Sequence, residues 1–396
     1  MNREDQHQET TFAKGIEIQR QVPLKEWTSF HIGGPADYFY SVKSIEELYS
    51  VLQTAAHASL DVHVLGKGSN VLVSDLGLRG LTLHFGTDFA RITPVAWDDA
   101  QLTPELKEAA LACARQDNLR RKQGYMSGLL EEDDERKPEW LVQAPFGLDD
   151  LDETSHQKEL EAWYGESEEL IQAHYGIYWV EAGIALADLS EWAAEAGRSG
   201  LEFARGIPGS FGGATYMNAG AYGGTMDQVI FAAEGLSLKA PFEPCLVCGE
   251  DLDFGYRHSY FMKTGTLMTR AALVLRQGDV ERSRQLMADY QARRTASQPL
   301  EYPSAGSVFK RPEGYFAGKL IMDAGLKGTR VGGAEVSTKH AGFIVNPHSN
   351  ASAKDVLDLV ELIQKTVRKS FGVSLERELR LMGDFDLTES AKAEDR

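Results

Sequence analysis

Two glycine-rich segments constrain what this chain can fold into more than any other feature of its sequence. The first is Gly-Lys-Gly-Ser-Asn at residues 66–70, between two short apolar runs, and the second is residues 205–224, which contain seven glycines. Glycine loses more conformational freedom on folding than any other residue, so such density is costly unless the backbone must approach something closely. A large, flat ligand that carries a diphosphate would require this approach, and we predict one for the second segment.

The first segment by itself fits two interpretations. Successive backbone N–H groups in such a turn can form a nest for phosphate, but the same residues are typical of an ordinary β-turn. Two phosphate motifs do not fit, because a dinucleotide fingerprint requires glycine where Val71 stands and a Walker loop requires serine or threonine where Gly68 stands. The second segment favours the ligand interpretation, since apolar and aromatic residues interrupt its glycines, whereas linker loops are more polar.

The hydrophobic pattern outside the glycine segments predicts both helices and strands. Ser44 and Ser352 each begin a capping-box pattern, after which apolar residues recur at helical spacing, and Gly372 ends the second helix. Strands are predicted at residues 62–65, 71–73, 81–85 and 178–180 and, with strict alternation of apolar and polar residues, at 373–381. The elements follow no strict βαβ period, so the predicted class is α+β.

Composition and charge exclude several classes of protein. The chain has 396 residues, 42% of them hydrophobic, so two or three packed domains are expected. The formal net charge of -18 argues against a nucleic acid or an anionic membrane surface as a partner. No apolar run approaches the roughly 18 residues of a membrane-spanning helix, and the start of the chain has no apolar signal core, which predicts a cytoplasmic protein. Three cysteines argue against a disulfide framework.

An acidic segment interrupts the regular pattern. Residues 93–175 contain 20 acidic and 8 basic side chains, with acidic runs at 131–135 and 149–153, and one helix is predicted near residues 106–118. This composition is typical of an inserted subdomain or a partly disordered excursion.

Five motifs together resemble the UDP-N-acetylenolpyruvoylglucosamine reductase family, and they stand in that family's order. They are TSFHIGGPAD at residues 28–37, GKGSN at 66–70, LEFARGIPGS at 201–210, FGYRHS at 254–259 and PSAGSVFK at 303–310. The resemblance covers residues 22–93 and 176–385. The short route from Tyr256 to Ser307 is similar to the family's second type.

The resemblance implies a domain organisation. A two-part FAD-binding domain of the vanillyl-alcohol-oxidase (PCMH) type is expected at residues 22–93 and 176–285, and a C-terminal α+β substrate-binding domain at 286–385. The acidic residues 94–175 are then an insertion, and residues 1–21 and 386–396 are expected to be flexible tails. Because the acidic charge would repel an anionic substrate, the insertion is predicted to pack away from the active site.

The resemblance also implies a cytosolic enzyme of peptidoglycan precursor synthesis. In such an enzyme NADPH reduces a non-covalently bound FAD. The reduced flavin then delivers hydride to the enolpyruvyl group of UDP-N-acetylglucosamine enolpyruvate, which yields UDP-N-acetylmuramate. The expected partner is thus a nucleotide sugar, with no nucleic acid and no membrane span. The residues that the two glycine segments would contribute to cofactor binding are Gly66, Lys67, Gly68, Ser69, Asn70, Ile207, Pro208, Gly209, Gly212 and Gly213.

Three residues are predicted to carry the reduction, because the enolate that forms needs positive charge nearby and one proton. Arg205 matches the family's catalytic arginine, and its guanidinium suits a substrate carboxylate; the alternative is a surface ion pair. Ser307 matches the proton donor, although a turn serine is the simpler interpretation and Ser304 is a close competitor. Glu378 matches the catalytic glutamate, but alternation places it on the same face as Glu376, so the residues alone do not choose between them.

Other candidates are weaker. Lys263, Lys310 and Arg311 are predicted substrate-binding cations, although exposed basic residues are mostly ordinary surface charge. Cys245 and Cys248 supply only two thiolates without a second pair or a nearby histidine, so no metal site is predicted.

Two alternative functions remain open from the sequence. A different flavin oxidoreductase on the same scaffold would keep the glycine segments but would have no reason to keep Ser307 together with Glu378. A non-catalytic binder of flavin or nucleotide sugars would have no reason to keep Arg205 either. The predicted function is therefore the NADPH-dependent reduction.

Overall fold

The computed structural model of the chain describes residues 16–126 and 167–385. The acidic runs at 131–135 and 149–153, the predicted tail at 386–396 and the first 15 residues of the predicted N-terminal tail lie outside these ranges. The described residues form a mixture of helices and strands, so the predicted α+β class is confirmed.

The strands of the described residues form three larger sheets and two short pairs. In chain order they are β1 (Gln19–Pro23), β2 (Pro35–Ser41), β3 (Val62–Leu65), β4 (Val71–Val73), β5 (Leu78–His84), β6 (Ile92–Val95), β7 (Tyr175–Glu181), β8 (Arg198–Ser199), β9 (Gly220–Ala221), β10 (Gly224–Thr225), β11 (Ile230–Leu236), β12 (Pro244–Cys248), β13 (Leu267–Gln277), β14 (Ser304–Ser307), β15 (Arg330–Val331), β16 (Ala334–Val336), β17 (Phe343–Val345) and β18 (Arg380–Met382). The helices are α1 (Ile45–His57), α2 (Pro104–Met126), α3 (Glu168–His174), α4 (Leu186–Glu195), α5 (Phe211–Tyr216), α6 (Tyr260–Thr264), α7 (Val280–Ser297), α8 (Ala317–Asp323) and α9 (Ala353–Phe371).

The first sheet, in the order β1-β2-β5-β3, holds the N-terminal part of the fold. β1 pairs antiparallel with β2, whereas β2 and β3 both pair parallel with β5. α1 buries its apolar stripe in the largest core cluster. The Ser44 hydroxyl accepts the Glu47 N–H, as the capping pattern predicts, but the Glu47 carboxylate accepts the Tyr40 hydroxyl instead of completing the box.

The second sheet is antiparallel, in the order β12-β11-β13-β7-β6, with β8 beside the end of β13. Its two faces belong to different cores because side chains alternate along each strand. Tyr178 and Val180 of β7 lie in the largest cluster, with α1 and α4. Ile177 and Trp179 face the other way and are covered by the apolar side of α2.

The described part of the acidic segment is integrated into this second sheet. The helix predicted near residues 106–118 is present as α2, and the boundary predicted at residue 94 falls inside β6, which pairs with β7. The indole Nε1 of Trp97 donates to the Tyr175 carbonyl at 2.8 Å. Residues 94–126 therefore begin as an edge strand and a covering helix of the sheet, not as a separate unit.

The C-terminal part has its own sheet, β14-β17-β16-β15, and its own core beneath α9. α9 begins with the complete capping box of Ser352 and Asp355 that the sequence predicts, and it ends at Gly372, whose φ of +71° favours glycine. Asp75 accepts the N–H groups of Ala353 and Lys354, which attaches the start of α9 to the N-terminal part. The domain boundary predicted at residue 286 falls inside α7, an uninterrupted helix.

The last described strand, β18, lies beside the strand that follows the first glycine segment. β18 pairs parallel with β4, so the segment 66–70 connects a strand of the first sheet to a strand held by the C-terminus. The strand predicted at 373–381 is not continuous: only Arg380–Met382 pairs with β4, and Arg377 makes an isolated bridge to Phe309. Leu375 and Leu379 are buried, as the alternation of apolar and polar residues predicts. The backbone of the segment, however, pairs first with Phe309 and then with β4.

A stability test of the C-terminal core uses two leucines of α9. Leu359 is fully buried and Leu362, three residues later, is 39% exposed. Leu359→Ala is expected to lower the free energy of unfolding by about 2–5 kcal/mol, because it leaves a cavity. Leu362→Ala is the control, with an expected change within about 0.5 kcal/mol. Urea unfolding followed by circular dichroism measures both, and equal losses would contradict the assigned packing of α9.

Candidate active site

A cavity of about 580 Å³ lies between the two glycine segments and the C-terminal part of the chain. Further walls come from β3, the start of β13, the end of β14 and residues 378–382. None of the residues between 94 and 126 or between 167 and 175 lines it. All ten predicted cofactor residues line this cavity: Gly66, Lys67, Gly68, Ser69, Asn70, Ile207, Pro208, Gly209, Gly212 and Gly213.

The two glycine segments touch each other directly. The Ser69 hydroxyl donates to the Pro208 carbonyl at 2.8 Å. A Cβ at Gly66 would lie 2.3 Å from the Ser210 Oγ, and one at Gly209 would lie 3.1 Å from the Ser69 Oγ. Side chains at these positions would push the segments apart, so the glycines allow the close approach that their density predicts.

Asn70 connects the first glycine segment to the chain end. Its side-chain Nδ2 donates to the Glu378 carbonyl at 3.2 Å, and its own carbonyl accepts the Arg380 N–H at 3.1 Å. These bonds extend the pairing of β4 with β18 by one residue. They fix the backbone at residue 378 beside the glycine segment.

Ser29 attaches β14 to the same segment. Its N–H donates to the Gly68 carbonyl at 3.1 Å, and its hydroxyl donates to the Ser304 carbonyl at 2.7 Å. Ser304 therefore has its backbone bonded to Ser29 and does not line the cavity, whereas Ser307, at the other end of β14, does. Within the described residues the Ser307 hydroxyl has no hydrogen-bond partner, so it is available to a bound molecule.

The structure distinguishes Glu378 from Glu376, although the alternation in the sequence places both on the same face. Glu378 lines the cavity with its side chain 11% exposed, whereas Glu376 is 56% exposed and pairs with Lys310 outside the cavity. The Glu378 carboxylate accepts a hydrogen bond from the Arg257 Nε at 2.6 Å. Burial raises the pKa of Glu378 above its usual range, although the positive charges of Arg257 and Lys310 oppose this.

Arg257 is the arginine in the cavity lining that contacts Glu378, and the sequence pattern assigned it no role. It lies in a tight turn in which Gly255 and His258 exchange backbone hydrogen bonds, and its φ is +54°. A non-glycine residue held in this region costs about 1–3 kcal/mol, and such strain is frequent at functional sites. The Asn218 Nδ2 supports the turn by donating to the Gly255 carbonyl at 3.1 Å. The presence of Arg257 in the motif FGYRHS, residues 254–259, was the sequence signal that could have identified this residue.

Arg205 is not brought together with Ser307 and Glu378. It is absent from the cavity lining, its side chain is 37% exposed, and its Nη2 lies 3.4 Å from a carboxylate oxygen of Glu191. The alternative considered for this residue, a surface ion pair, is what the structure shows. The physical reason is local: Arg205 ends a short turn whose buried residues, Phe203 and Ala204, face the core.

The three predicted substrate cations also lie outside the cavity lining. Lys263 is largely exposed and pairs with Asp253 at 2.7 Å. The Lys310 ammonium pairs with Glu376, two residues from Glu378. The Arg311 guanidinium stacks on the Phe316 ring, 4.1 Å from its centre, and the Arg311 backbone N–H donates to the Tyr256 hydroxyl. Lys310 and Arg311 thus border the side of the site that carries Glu378 and Arg257.

The cysteines and the hydropathy of the helices add two findings. Burial raises the pKa of both Cys245 and Cys248, which disfavours the thiolates that would bind a metal. Residues 16–126 and 167–385 contain no cluster of three or more potential metal ligands. None of the helices in those residues combines the length and the hydropathy that a membrane span needs.

Comparisons with known proteins agree with this geometry. Residues 298–382 match the family model described as UDP-N-acetylenolpyruvoylglucosamine reductase, C-terminal domain, and residues 168–234 match one described as FAD binding domain. Proteins named UDP-N-acetylenolpyruvoylglucosamine reductase from Agathobacter rectalis and Clostridium novyi are 38% and 36% identical to the chain, over 95% and 93% of its length and 99% and 93% of theirs. The chain belongs to the UDP-N-acetylenolpyruvoylglucosamine reductase family.

A solved structure supports the same assignment. The crystal structure of UDP-N-acetylenolpyruvylglucosamine reductase (MurB) from Thermus caldophilus has a TM-score of 0.61 and 29% identity to the chain, and the match covers 93% of this chain and 99% of that one. Membership in the UDP-N-acetylenolpyruvoylglucosamine reductase family confirms the predicted FAD-dependent oxidoreductase and its two kinds of domain.

The cavity fits the FAD of this family. A dinucleotide needs backbone N–H groups that approach its diphosphate without intervening side chains. Gly66, Gly68 and Gly212 line the cavity, and an added Cβ at each of them would collide with a neighbouring protein atom. The two glycine segments would hold FAD, and Ser307, Glu378 and Arg257 lie in the wall of the same cavity.

A glycine substitution tests whether residues 66–70 help to hold FAD. Gly68 has a φ of +60°, and a Cβ there would lie 2.3 Å from the Trp27 carbonyl oxygen, a backbone atom that cannot move without displacing the segment. Gly68→Ala is expected to weaken FAD binding at least tenfold, a change of about 1.4 kcal/mol. The measurement is the ratio of flavin absorbance to polypeptide in the purified protein after dilution.

Gly314→Ala is the matched control for this test. Gly314 has a similar φ of +73°, but no atom lies within 4 Å of its added Cβ. The control therefore carries the same kind of backbone strain at a distance from the cavity, and it should retain flavin. Equal flavin contents in the two variants would mean that the segment at 66–70 does not hold the cofactor.

Proposed function

We propose that this protein reduces UDP-N-acetylglucosamine enolpyruvate to UDP-N-acetylmuramate with electrons from NADPH. The observation that carries this proposal is the lining of one cavity by the two glycine segments, Ser307, Glu378 and Arg257. The names of the relatives support the substrate class. A cytoplasmic location in peptidoglycan precursor synthesis is part of the same proposal, because the substrate is a nucleotide-activated sugar.

FAD, when bound, supplies the hydride that the reduction needs. The protein must then stabilise the negative charge that develops on the enolpyruvyl carboxylate and its neighbouring carbon. Arg257 is placed for this task, since a guanidinium keeps its charge and can donate to both carboxylate oxygens. Its present bond to Glu378 uses the Nε and leaves the terminal nitrogens for a ligand.

Ser307 is proposed as the proton donor. Its hydroxyl lines the cavity, and Glu378 lines the same cavity with a raised pKa. A carboxyl group whose pKa is raised keeps or accepts a proton closer to neutral pH, which suits a group that passes protons at a reaction centre. Glu378 therefore has two roles in the proposal: it orients Arg257, and it takes part in proton delivery.

The polar groups beside the cavity are proposed to bind the remainder of the substrate. The charge of Lys310 opposes the rise in the pKa of Glu378, which supports a position for Lys310 close to that carboxylate. The Arg311 guanidinium lies over the Phe316 ring, and the Arg311 backbone is bonded to the Tyr256 hydroxyl beside Arg257. Both cations suit the anionic groups of a nucleotide sugar. Lys263, held by Asp253, is the weakest of the three predicted substrate residues.

Replacement of Ser307 separates proton delivery from flavin reduction. Ser307→Ala is expected to leave the reduction of the flavin by NADPH unchanged and to slow the reoxidation by the enolpyruvyl sugar about 10²–10⁴-fold. Stopped-flow absorbance under nitrogen measures the two half-reactions separately. Ser304→Ala is the control and should keep both rates, so a slow Ser304 variant with a normal Ser307 variant would reverse the assignment.

Two arginine variants decide which guanidinium acts on the substrate. Arg257→Met is expected to slow the second half-reaction about 10²–10³-fold, because it removes a preorganised positive charge. Arg205→Met removes only an exposed ion pair, and it should leave that rate within about twofold, since such pairs contribute little. The same stopped-flow measurement applies. A large effect of Arg205→Met would support the role that the sequence motif predicts for it and would count against Arg257.

A further inference from the structure

A half-buried arginine at the end of α7 lies in the same cavity, and neither the sequence prediction nor the proposed chemistry uses it. Arg294 lines the cavity from the last turn of the helix. The side chain is half-buried, and this burial lowers the pKa of its guanidinium. Within residues 16–126 and 167–385 it has no carboxylate partner and no hydrogen-bond acceptor. A cation in this condition is costly unless an anion compensates it.

The neighbouring arginine on the helix is different. Arg293 points to another side of α7, and its guanidinium forms an ion pair with Asp289 at 2.9 Å. The acidic side chain of this helix turn therefore already has a cationic partner. The helix dipole favours a cation in the last turn, but this effect is small and has no ligand specificity. Arg294 therefore lacks the compensation that Arg293 has.

A second polar group lies one turn further along. Gln298 also lines the cavity, and its Oε1 is buried without a hydrogen-bond partner among the described residues. Buried polar atoms in folded proteins are nearly always hydrogen-bonded, to protein, water or ligand. Two unpartnered polar side chains, four residues apart and facing one cavity, are therefore a pair that a bound molecule would satisfy.

The position of this pair indicates what it binds. A Cβ at Gly206 would lie 3.0 Å from the Arg294 Cδ, so the second glycine segment leaves room for the arginine side chain. The helix is held against that segment by Tyr222, whose ring stacks on Tyr290 and whose hydroxyl donates to the Tyr290 carbonyl. Arg294 thus borders residues 206–209, which touch the first glycine segment at Pro208.

We propose that Arg294 and Gln298 form a diphosphate subsite of the cavity. The guanidinium would donate to the diphosphate oxygens, and the Gln298 Oε1 would accept a hydrogen bond from an adjoining hydroxyl of the same ligand. Lys67, on the facing segment and also in the lining, adds a second positive charge. The proximity to both glycine segments favours the diphosphate of FAD over that of a nucleotide substrate, and the experiment separates these two sources. The nucleotide-substrate outcome rests on the proposed function, whereas the FAD outcome does not.

The test measures the affinity of the full-length protein for FAD and for riboflavin, which has no phosphate, after removal and replacement of the flavin. Arg294→Met is expected to weaken FAD binding about tenfold to hundredfold and to leave riboflavin binding unchanged. FAD binding by the parent protein should also weaken with added salt more steeply than binding by the variant. Arg293→Met is the control and should match the parent for both ligands.

Two further variants keep the test valid if Arg294→Met folds poorly. Arg294→Lys preserves the charge and should recover part of the FAD affinity. Gln298→Glu is nearly the same size, but its carboxylate would pair with Arg294 and repel a diphosphate, so FAD affinity should fall while riboflavin affinity is kept. Thermal unfolding of each variant without flavin shows whether the fold is intact.

The outcomes distinguish the sources of the diphosphate. Weaker FAD binding with normal riboflavin binding assigns the subsite to the cofactor. Unchanged FAD binding, with a KM for the enolpyruvyl nucleotide sugar or for NADPH raised about tenfold, assigns it to that nucleotide instead. Parent-like values for FAD, NADPH and the nucleotide sugar in Arg294→Met would overturn the subsite, and they would leave the Ser307 and Arg257 tests of the proposed function unaffected.

Discussion

The parallel pairing of β4 with β18 is the interaction on which the site depends. It joins the first glycine segment to the last strand of the described chain, and Asn70 extends it by bonding to the Glu378 and Arg380 backbones. The first glycine segment and Glu378 are more than 300 residues apart in sequence. A short, three-residue ladder with one side-chain amide keeps them adjacent.

The charges of the site are arranged so that each depends on a neighbour from another part of the chain. Glu378 is buried, which would leave its carboxylate unfavourable, but Arg257 donates to it from a turn in a different element. Arg257 in turn is held at a positive φ by that turn, which Asn218 supports. Backbone strain at Arg257 and burial of Glu378 are thus combined in one wall of the cavity, a combination that is frequent at functional sites.

The two faces of the antiparallel sheet pack against different parts of the molecule. One face packs into the largest core, which extends to Phe85 and Ala182 in the cavity wall. The other face is covered by α2, the described helix of the acidic segment. The acidic segment therefore begins on the side of the sheet that does not line the cavity, and its described residues put no negative charge into the lining.

Local sequence patterns were enough to predict several helices and strands and the two glycine segments that line the cavity. Helical spacing predicted α1 and α9, and the glycine density predicted a close backbone approach in residues 205–224, because both signals are local in the sequence. Only the tertiary structure decided which arginine and which glutamate face the cavity. Arg205 and Arg257 both lie in matching motifs, and Glu376 and Glu378 share a parity, but burial and distance arise from contacts between segments remote in sequence. The unpartnered Arg294 and Gln298 show the same limit, since a missing partner is visible only when the neighbours are in place.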